Sequence, residues 1–203
     1  MKKKLTYDNL ITLIFLGILV ITLIYNVIFQ SGSKMQRIIL TFISVIAMKI
    51  FFSVTFLKKS RATYTATIVF IIISMYLGNI LNFYTYIPSY DKILHLASGI
   101  IIGIIGVIIY AYFTKDQINK INPIFMIFFS IIFTIALAGI WEMWEFTTDR
   151  LFGLESQFNS LVDTMTDIIC GTIGGLIALI PIYKFAKGKN NRFFKFIIDE
   201  ILH

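Results

Sequence analysis

YDKILHLASGIIIG, residues Tyr90–Gly103, and VDTMTDIICGTIGG, residues Val162–Gly175, follow one pattern. Each has an acidic residue, a side chain able to bind metal four residues later, and then two glycines at further intervals of four. Residues four apart lie on the same face of an α-helix. Each stretch therefore predicts a helix that starts with polar groups and continues as an apolar segment with small residues on one face.

The rest of the chain is equally apolar, with 58% hydrophobic residues. A run of about 18 or more apolar residues can cross a bilayer as a helix, and the connections between the runs leave no room for a soluble domain. We predict an all-α, polytopic membrane protein, one domain over residues 1–185, with six transmembrane helices near residues 10–29, 38–57, 65–83, 92–113, 123–146 and 162–185.

Residues 186–203 form a basic tail that we expect to be cytoplasmic. In helical projection its residues separate into two faces, as in an amphipathic helix lying on the inner leaflet. The apolar face carries Phe193, Phe194, Ile197 and Ile201, and the polar face carries Arg192, Lys195, Asp199 and His203.

The net charge of +7 has an explanation that needs no nucleic acid. Basic residues accumulate on cytoplasmic loops of membrane proteins. With the N-terminus inside, thirteen of the eighteen Lys and Arg residues lie in inner segments and four in outer segments. We therefore expect both termini to be cytoplasmic, in a bacterial plasma membrane.

This topology brings acidic residues to the outer face. The fourth predicted span starts there, the fifth ends there and the sixth starts there, so that seven of the eleven acidic residues lie on that side. Ionisable residues at membrane depth are expensive and usually functional. We expect one group to bind metal, namely His95, Glu142, Glu145 and Asp167, and a second to act as catalytic base or to support the ligands, namely Asp91, Asp149 and Asp163.

The glycines below these residues predict where the fourth and sixth spans touch. Small residues four apart allow membrane helices to approach backbone to backbone. The pairs Gly99 with Gly103 and Gly171 with Gly175 are assigned to this helix packing.

Oxygen-rich sites with one imidazole suit a divalent ion such as Zn²⁺, Mn²⁺, Mg²⁺ or Fe²⁺. Four inward carboxylates cannot all stay ionised in a cleft of low dielectric constant unless cations or protons compensate them. A divalent metal is the only cofactor that the sequence suggests, and carboxylates sharing protons are the alternative.

The segments YDKILH, GIWEMWEFTTD and LESQFNSLVDTMTDIICGTIGG resemble the YjdF-like family of bacterial membrane proteins over roughly residues 79–181. They are more distantly similar to VanZ-like proteins, which are associated with lipoglycopeptide resistance at the outer face. The chain departs from the VanZ-like pattern, because Gly171 stands in place of an asparagine, the carboxylates are four apart and an arginine is missing. The resemblance implies a cell-envelope setting. The matching positions are Asp91, Lys92, His95, Gln157, Asp167 and Gly174.

Three functional classes remain open from the sequence. The first is a metal-dependent enzyme acting on a lipid-linked or amphipathic substrate. The second is a cation- or proton-coupled transporter, and the third is a non-catalytic lipid-binding protein. The pattern does not determine the oligomeric state.

Overall fold

The structure is a computed structural model that describes residues 6–114, 122–152, 156–157, 160–187 and 192–202. Within these residues 89% of the chain is helical and no strand is present. Six helices are long and apolar enough to cross a membrane, which confirms the predicted fold class. The chain divides into two compact units, Met1–Pro88 and Ser89–His203, and the single domain over residues 1–185 stays a prediction.

The first unit contains three long helices. They are α1 (Tyr7–Phe29), α2 (Met35–Val54) and α3 (Arg61–Ile71), the last of which continues as a π-helix over Ile72–Ile80 and is followed by the short α4 (Phe83–Tyr86). Tyrosine hydroxyls join α1 to this third span. Thr12 lies 2.7 Å from the Tyr64 hydroxyl and Thr22 lies 3.0 Å from that of Tyr76.

Two spans of this unit lie three to four residues earlier in the chain than the predicted 38–57 and 65–83. The second helix stops at Val54 because the Thr55 side chain accepts a hydrogen bond from the Leu57 backbone N–H and starts a 3₁₀ turn, Phe56–Lys59. The third stops at Ile80, where Lys34 and Arg37 donate to the carbonyls of Ile80 and Asn79. Cations are favourable at such a C-terminus, where carbonyls lack intrahelical partners.

The second unit contains α5 (Tyr90–Phe113), α6 (Pro123–Phe152), α7 (Leu161–Ala186) and α8 (Arg192–Leu202). Pro123 suits the first helical position, and Asn122 accepts a hydrogen bond from the Ile124 N–H. Helix α6 continues past the predicted end at residue 146. The hydroxyls of Thr147 and Thr148 bond back to helix carbonyls in this added turn.

Part of the predicted apolar face of α8 packs against protein, and the position of this helix on the inner leaflet stays a prediction. Phe194 and Ile197 are 0% and 2% exposed, and Phe194 belongs to a core with Val107, Tyr110, Met126, Ala178 and Ile182. The helix therefore buries Phe194 and Ile197 in the second unit, whereas Phe193, which the sequence assigned to the same face, is exposed, as is Phe196. The side chains of Asp199 and Ile201, and His203, lie outside the described residues.

Candidate functional site: a carboxylate and histidine cluster

Three helices of the second unit meet in a polar cluster, two of them with their first turns. Helix α5 contributes Asp91, Lys92 and His95 from its first two turns, and α7 contributes Asp163 and Asp167 from its own first two turns. Helix α6 runs in the opposite direction and brings Glu142, ten residues before its end. Asp91 and His95 on α5, and Asp163 and Asp167 on α7, are four apart and share a face. Two short polar stripes therefore meet beside Glu142.

Lys92 is the cation of this cluster. Its Nζ lies 2.6 Å from Oδ1 of Asp163, 2.7 Å from Oδ1 of Asp167 and 3.5 Å from Oδ2 of Asp91. The ammonium group thus connects the start of α5 to the start of α7. From the sequence it counted only as an outer basic residue and as one position of the VanZ-like resemblance. The signal that could have singled it out is its place beside Asp91 in the first turn of a membrane helix.

His95 lies at the centre, with carboxylate oxygens around one face of its imidazole. Its Nε2 is 3.6 Å from Oδ1 of Asp91, 3.8 Å from Oδ1 of Asp167 and 3.9 Å from Oε1 of Glu142. These distances are too long for hydrogen bonds. The four groups therefore face a common point without bonding to one another through these atoms.

Two of these oxygens are buried without a hydrogen bond. Oε1 of Glu142 has no hydrogen-bond partner, and Oδ1 of Asp167 has its ion pair with Lys92 but no hydrogen bond of acceptable geometry. Glu142 and Asp167 are 3% and 1% exposed. A buried, unsatisfied carboxylate oxygen is costly, so Oε1 of Glu142 is suited to accept a ligand, whereas Oδ1 of Asp167 is compensated by the Lys92 ammonium.

The spacing fits a metal ion. Ligand atoms of Asp91, His95 and Asp167 lie within 4.8 Å of one another, whereas two atoms bound to one ion at about 2.1 Å are at most about 4.2 Å apart. The three distances from His95 Nε2 already satisfy that limit, and small side-chain shifts would satisfy the remaining pair. Asp91, to which the sequence assigned a supporting role, is in this set of three.

Gln157 holds the other side of Glu142. Its side-chain amide, in a residue 8% exposed, donates to the backbone carbonyl of Glu142 at 3.0 Å and to Oε2 at 3.1 Å. Oε1 is thereby left to point towards His95. From the sequence Gln157 was only a matching position of the resemblance, because the contact joins residues fifteen positions apart across a loop.

Two of the proposed site residues make their described hydrogen bonds outside the cluster. The Glu145 carboxylate accepts a hydrogen bond from the Trp141 indole at 2.8 Å, and no described contact joins it to His95. Asp149 accepts the backbone N–H groups of Ser156 and Gln157, each at 3.0 Å, and so holds the loop that carries Gln157. Glu155, a seventh acidic residue assigned to this side, lies outside the described residues.

Just below the cluster, α5 and α7 are in backbone contact. A Cβ on Gly99 would overlap the carbonyl oxygen of Gly171, and one on Gly174 would overlap that of Leu96. On the next turn an added Cβ would lie 3.2 Å from Ala178 at Gly103 and 2.7 Å from Thr134 at Gly175. Because no side chain separates the helices here, His95 and Asp167, four residues before Gly99 and Gly171, are held within reach of each other.

These features define a polytopic integral membrane protein with a buried ionisable cluster at one end of a helical unit. The chain belongs to the family described as "Predicted membrane protein (DUF2238)", which matches residues 9–188. A protein of Thermotoga maritima, described as an uncharacterized protein, is 32% identical over 123 residues. That match covers 58% of this chain and 58% of the relative's length. No solved structure matches the chain.

Proposed function

We propose that the protein binds a divalent metal ion through Asp91, His95 and Asp167 and uses it as a membrane enzyme on a lipid-linked or amphipathic substrate. The observation that carries the proposal is Oε1 of Glu142, a buried oxygen without a hydrogen bond that faces His95 beside the ligand atoms of Asp91 and Asp167. A carboxylate that served only to hold the helices together would be expected to have its buried oxygens bonded.

Charge also favours a bound cation. Asp91, Glu142, Asp163 and Asp167 supply four carboxylates, and Lys92 is the cation paired with them in the described part of the chain. If all are ionised, three negative charges remain uncompensated within a poorly hydrated site, which is expensive. A divalent ion would compensate most of that charge. The oxygen-rich set with one imidazole suits Zn²⁺, Mn²⁺, Mg²⁺ or Fe²⁺.

The chemistry would follow from a metal with protein ligands on one side. Such an ion lowers the pKa of bound water and can polarise a carbonyl or phosphoryl oxygen. Glu142 is fixed by Gln157 through one oxygen and presents the other to the site. It would act either as a further ligand or as the base that takes a proton from water.

We place the cluster on the outer face of a bacterial plasma membrane with both termini inside. Support comes from the excess of basic residues in the inner segments and from the positive-inside rule. The YjdF-like and VanZ-like resemblance supports the same envelope setting. In this orientation the site would meet lipid-linked molecules of the outer leaflet.

A transporter of cations or protons is less well supported by this geometry. A path from the cluster between α5 and α7 would have to pass the level of Gly99 and Gly171, where the two backbones touch. Alternating-access transporters usually have their sites near the bilayer midplane, whereas these carboxylates lie in the terminal turns of α5 and α7.

The enzyme proposal can be tested without knowing the substrate. Metal-loaded protein in nanodiscs would be incubated with a bacterial membrane lipid extract, and products would be compared by mass spectrometry with those from Asp167→Asn and from chelated protein. We expect a lipid species to be converted only by the metal-loaded wild type. Metal-loaded wild type that converts no species would contradict the enzyme proposal and leave a non-catalytic lipid-binding or structural metal site.

A further inference from the structure

A groove between α6 and α7 adjoins the cluster. Its volume is about 650 Å³, within the range of about 300–1,000 Å³ that is usual for sites binding small molecules. The α6 wall carries Gly139, Met143, Phe146 and Arg150, spaced by four, three and four residues, which is one helical stripe. The α7 wall carries Leu161, Thr164 and Ile168 with the same kind of spacing.

Glu142 connects this groove to the cluster. It lines the groove, while its Oε1 lies 3.9 Å from His95 Nε2. A molecule in the groove would therefore touch a residue that faces the proposed metal site. The groove is thus placed to present a substrate to the cluster.

Arg150 lies at one end of the groove, and apart from Glu142 the α6 wall between Phe146 and Gly139 is apolar. Arg150 is in the last turn of α6, and Gly139 is eleven residues earlier, about 16 Å along the helix axis. Met143 and Phe146 lie between them, with Ile168 on the facing wall. This arrangement matches a molecule with a charged head and an alkyl chain.

The positive charge of Arg150 indicates that the head group of a bound molecule is negatively charged. Its guanidinium lies 5.4 Å from the Phe146 ring, and no carboxylate pairs with it in the described part of the chain. The neighbouring Asp149 is engaged by the N–H groups of Ser156 and Gln157. Arginine binds phosphate through two parallel hydrogen bonds, so a guanidinium without a carboxylate partner among the described residues favours a phosphate at this end of the groove.

We propose that this groove binds a phosphate-bearing single-chain lipid, with its phosphate at Arg150 and its chain along Met143, Phe146 and Ile168. The inference names the class of substrate for the proposed function. It rests on that function only for the claim that the bound lipid is a substrate. Binding itself needs only the groove and can be measured separately.

The experiment uses tritiated 1-oleoyl lysophosphatidate and purified full-length protein in a neutral detergent. Arg150→Gln removes the cation, and its matched control is Arg192→Gln, which removes an exposed arginine from α8. Gly139→Leu fills the groove, and its matched control is Gly17→Leu. Both glycines lie within helices where an added Cβ meets nothing within 4 Å, so neither change should prevent folding.

We expect saturable binding by the wild type and the two controls, and at least tenfold weaker binding by Arg150→Gln and Gly139→Leu. Arg150→Lys should recover part of the loss, and uncharged 1-oleoylglycerol should compete poorly. Absent binding by the wild type would overturn the inference. Equal binding by all six proteins would also overturn it, and so would equal losses in the groove variants and their controls, because either result would indicate general adsorption to charged or apolar surface.

Metal content of the same samples separates this inference from the proposed function. Arg150→Gln and Gly139→Leu should keep their metal, because neither residue is in the set of three ligands. Groove-dependent lipid binding by a protein that takes up no metal would remove the enzyme proposal and leave the groove as a lipid site. If the protein takes up metal and the groove variants bind the lipid as well as the wild type does, only the groove inference is removed.

Discussion

The ammonium nitrogen of Lys92 lies 2.7 Å from Oδ1 of Asp167, and this contact joins the first turn of α5 to the second turn of α7. Asp167 is 1% exposed on its side chain, whereas Lys92 keeps about a quarter of its side chain accessible at 28%. The buried carboxylate thus depends on a cation that reaches in from the surface. The same Asp167 oxygen faces His95, so the ion pair and the proposed metal site share one atom.

Replacing Lys92 by Met should destabilise the metal-free protein. Asp163 and Asp167 would lose their cation, and leaving a buried charged acceptor unsatisfied costs about 1–3 kcal/mol. Thermal unfolding in detergent would measure the loss, with Lys195→Met, at an exposed lysine of α8, as the control.

Added divalent metal should reduce the loss in Lys92→Met, because a ligand that binds only the folded state stabilises it. A loss that metal leaves unchanged would argue that Lys92 and the ion do not act on the same carboxylates.

Replacing Gly99 by Ala should separate α5 from α7. The new Cβ would overlap the Gly171 carbonyl, and overpacking costs about 1–3 kcal/mol or more. The separation should also weaken metal binding, since His95 is one turn above Gly99. Unfolding temperature and metal affinity would be measured together.

The control for that change is Gly17→Ala, where an added Cβ meets nothing within 4 Å. Alanine within a helix is about 0.5–1 kcal/mol more favourable than glycine, so this variant should be as stable as the wild type or slightly more so. Equal stability of Gly99→Ala and Gly17→Ala would contradict the described backbone contact.

Replacing Gln157 by Leu should weaken metal binding without removing a proposed ligand. Glu142 would lose both hydrogen bonds that orient it, and loss of such a supporting partner typically costs 10–100-fold in metal affinity. Titration calorimetry with Zn²⁺ or Mn²⁺ would measure it. Ser156→Ala is the control, since Ser156 contacts Asp149 through its backbone N–H. Wild-type affinity in Gln157→Leu would show that Glu142 is not a ligand of the ion.

Replacing Phe194 by Ala tests the packing of α8. Phe194 is 0% exposed, and such a truncation typically costs about 3–5 kcal/mol. The neighbouring Phe193 is exposed, so Phe193→Ala should cost less than about 1 kcal/mol. Thermal unfolding of Phe194→Ala and Phe193→Ala would show which change costs more stability. The reverse order would favour a helix whose apolar face lies in the lipid instead.

The sequence was sufficient for the spans because each is a long apolar run. It was less reliable at helix ends, because a single contact, such as that between Thr55 and Leu57, determines where a helix stops. The same limit applied to α8, because an amphipathic pattern does not say whether its apolar face meets lipid or protein. For Phe194 the partners are residues of α5, α6 and α7 distant in sequence.

For the site, spacing of four predicted which side chains share a face, and the structure brings Asp91, His95, Glu142, Asp163 and Asp167 together. Spacing could not separate Glu142 from Glu145. The two are three residues apart, yet one faces His95 and the other bonds to Trp141. It also did not reveal Lys92 as the cation of the cluster, because its partners are 71 and 75 residues away.

The proposed metal site is tested most directly by the metal content of purified protein after exposure to Zn²⁺, Mn²⁺, Mg²⁺ and Fe²⁺ and removal of free ions. Wild type would be compared with the double variant Asp91→Asn, Asp167→Asn and with Glu145→Gln. We predict near-stoichiometric metal in the wild type and in Glu145→Gln, and its loss from a folded double variant. A metal-free wild type, or a double variant that keeps its metal, would contradict this prediction.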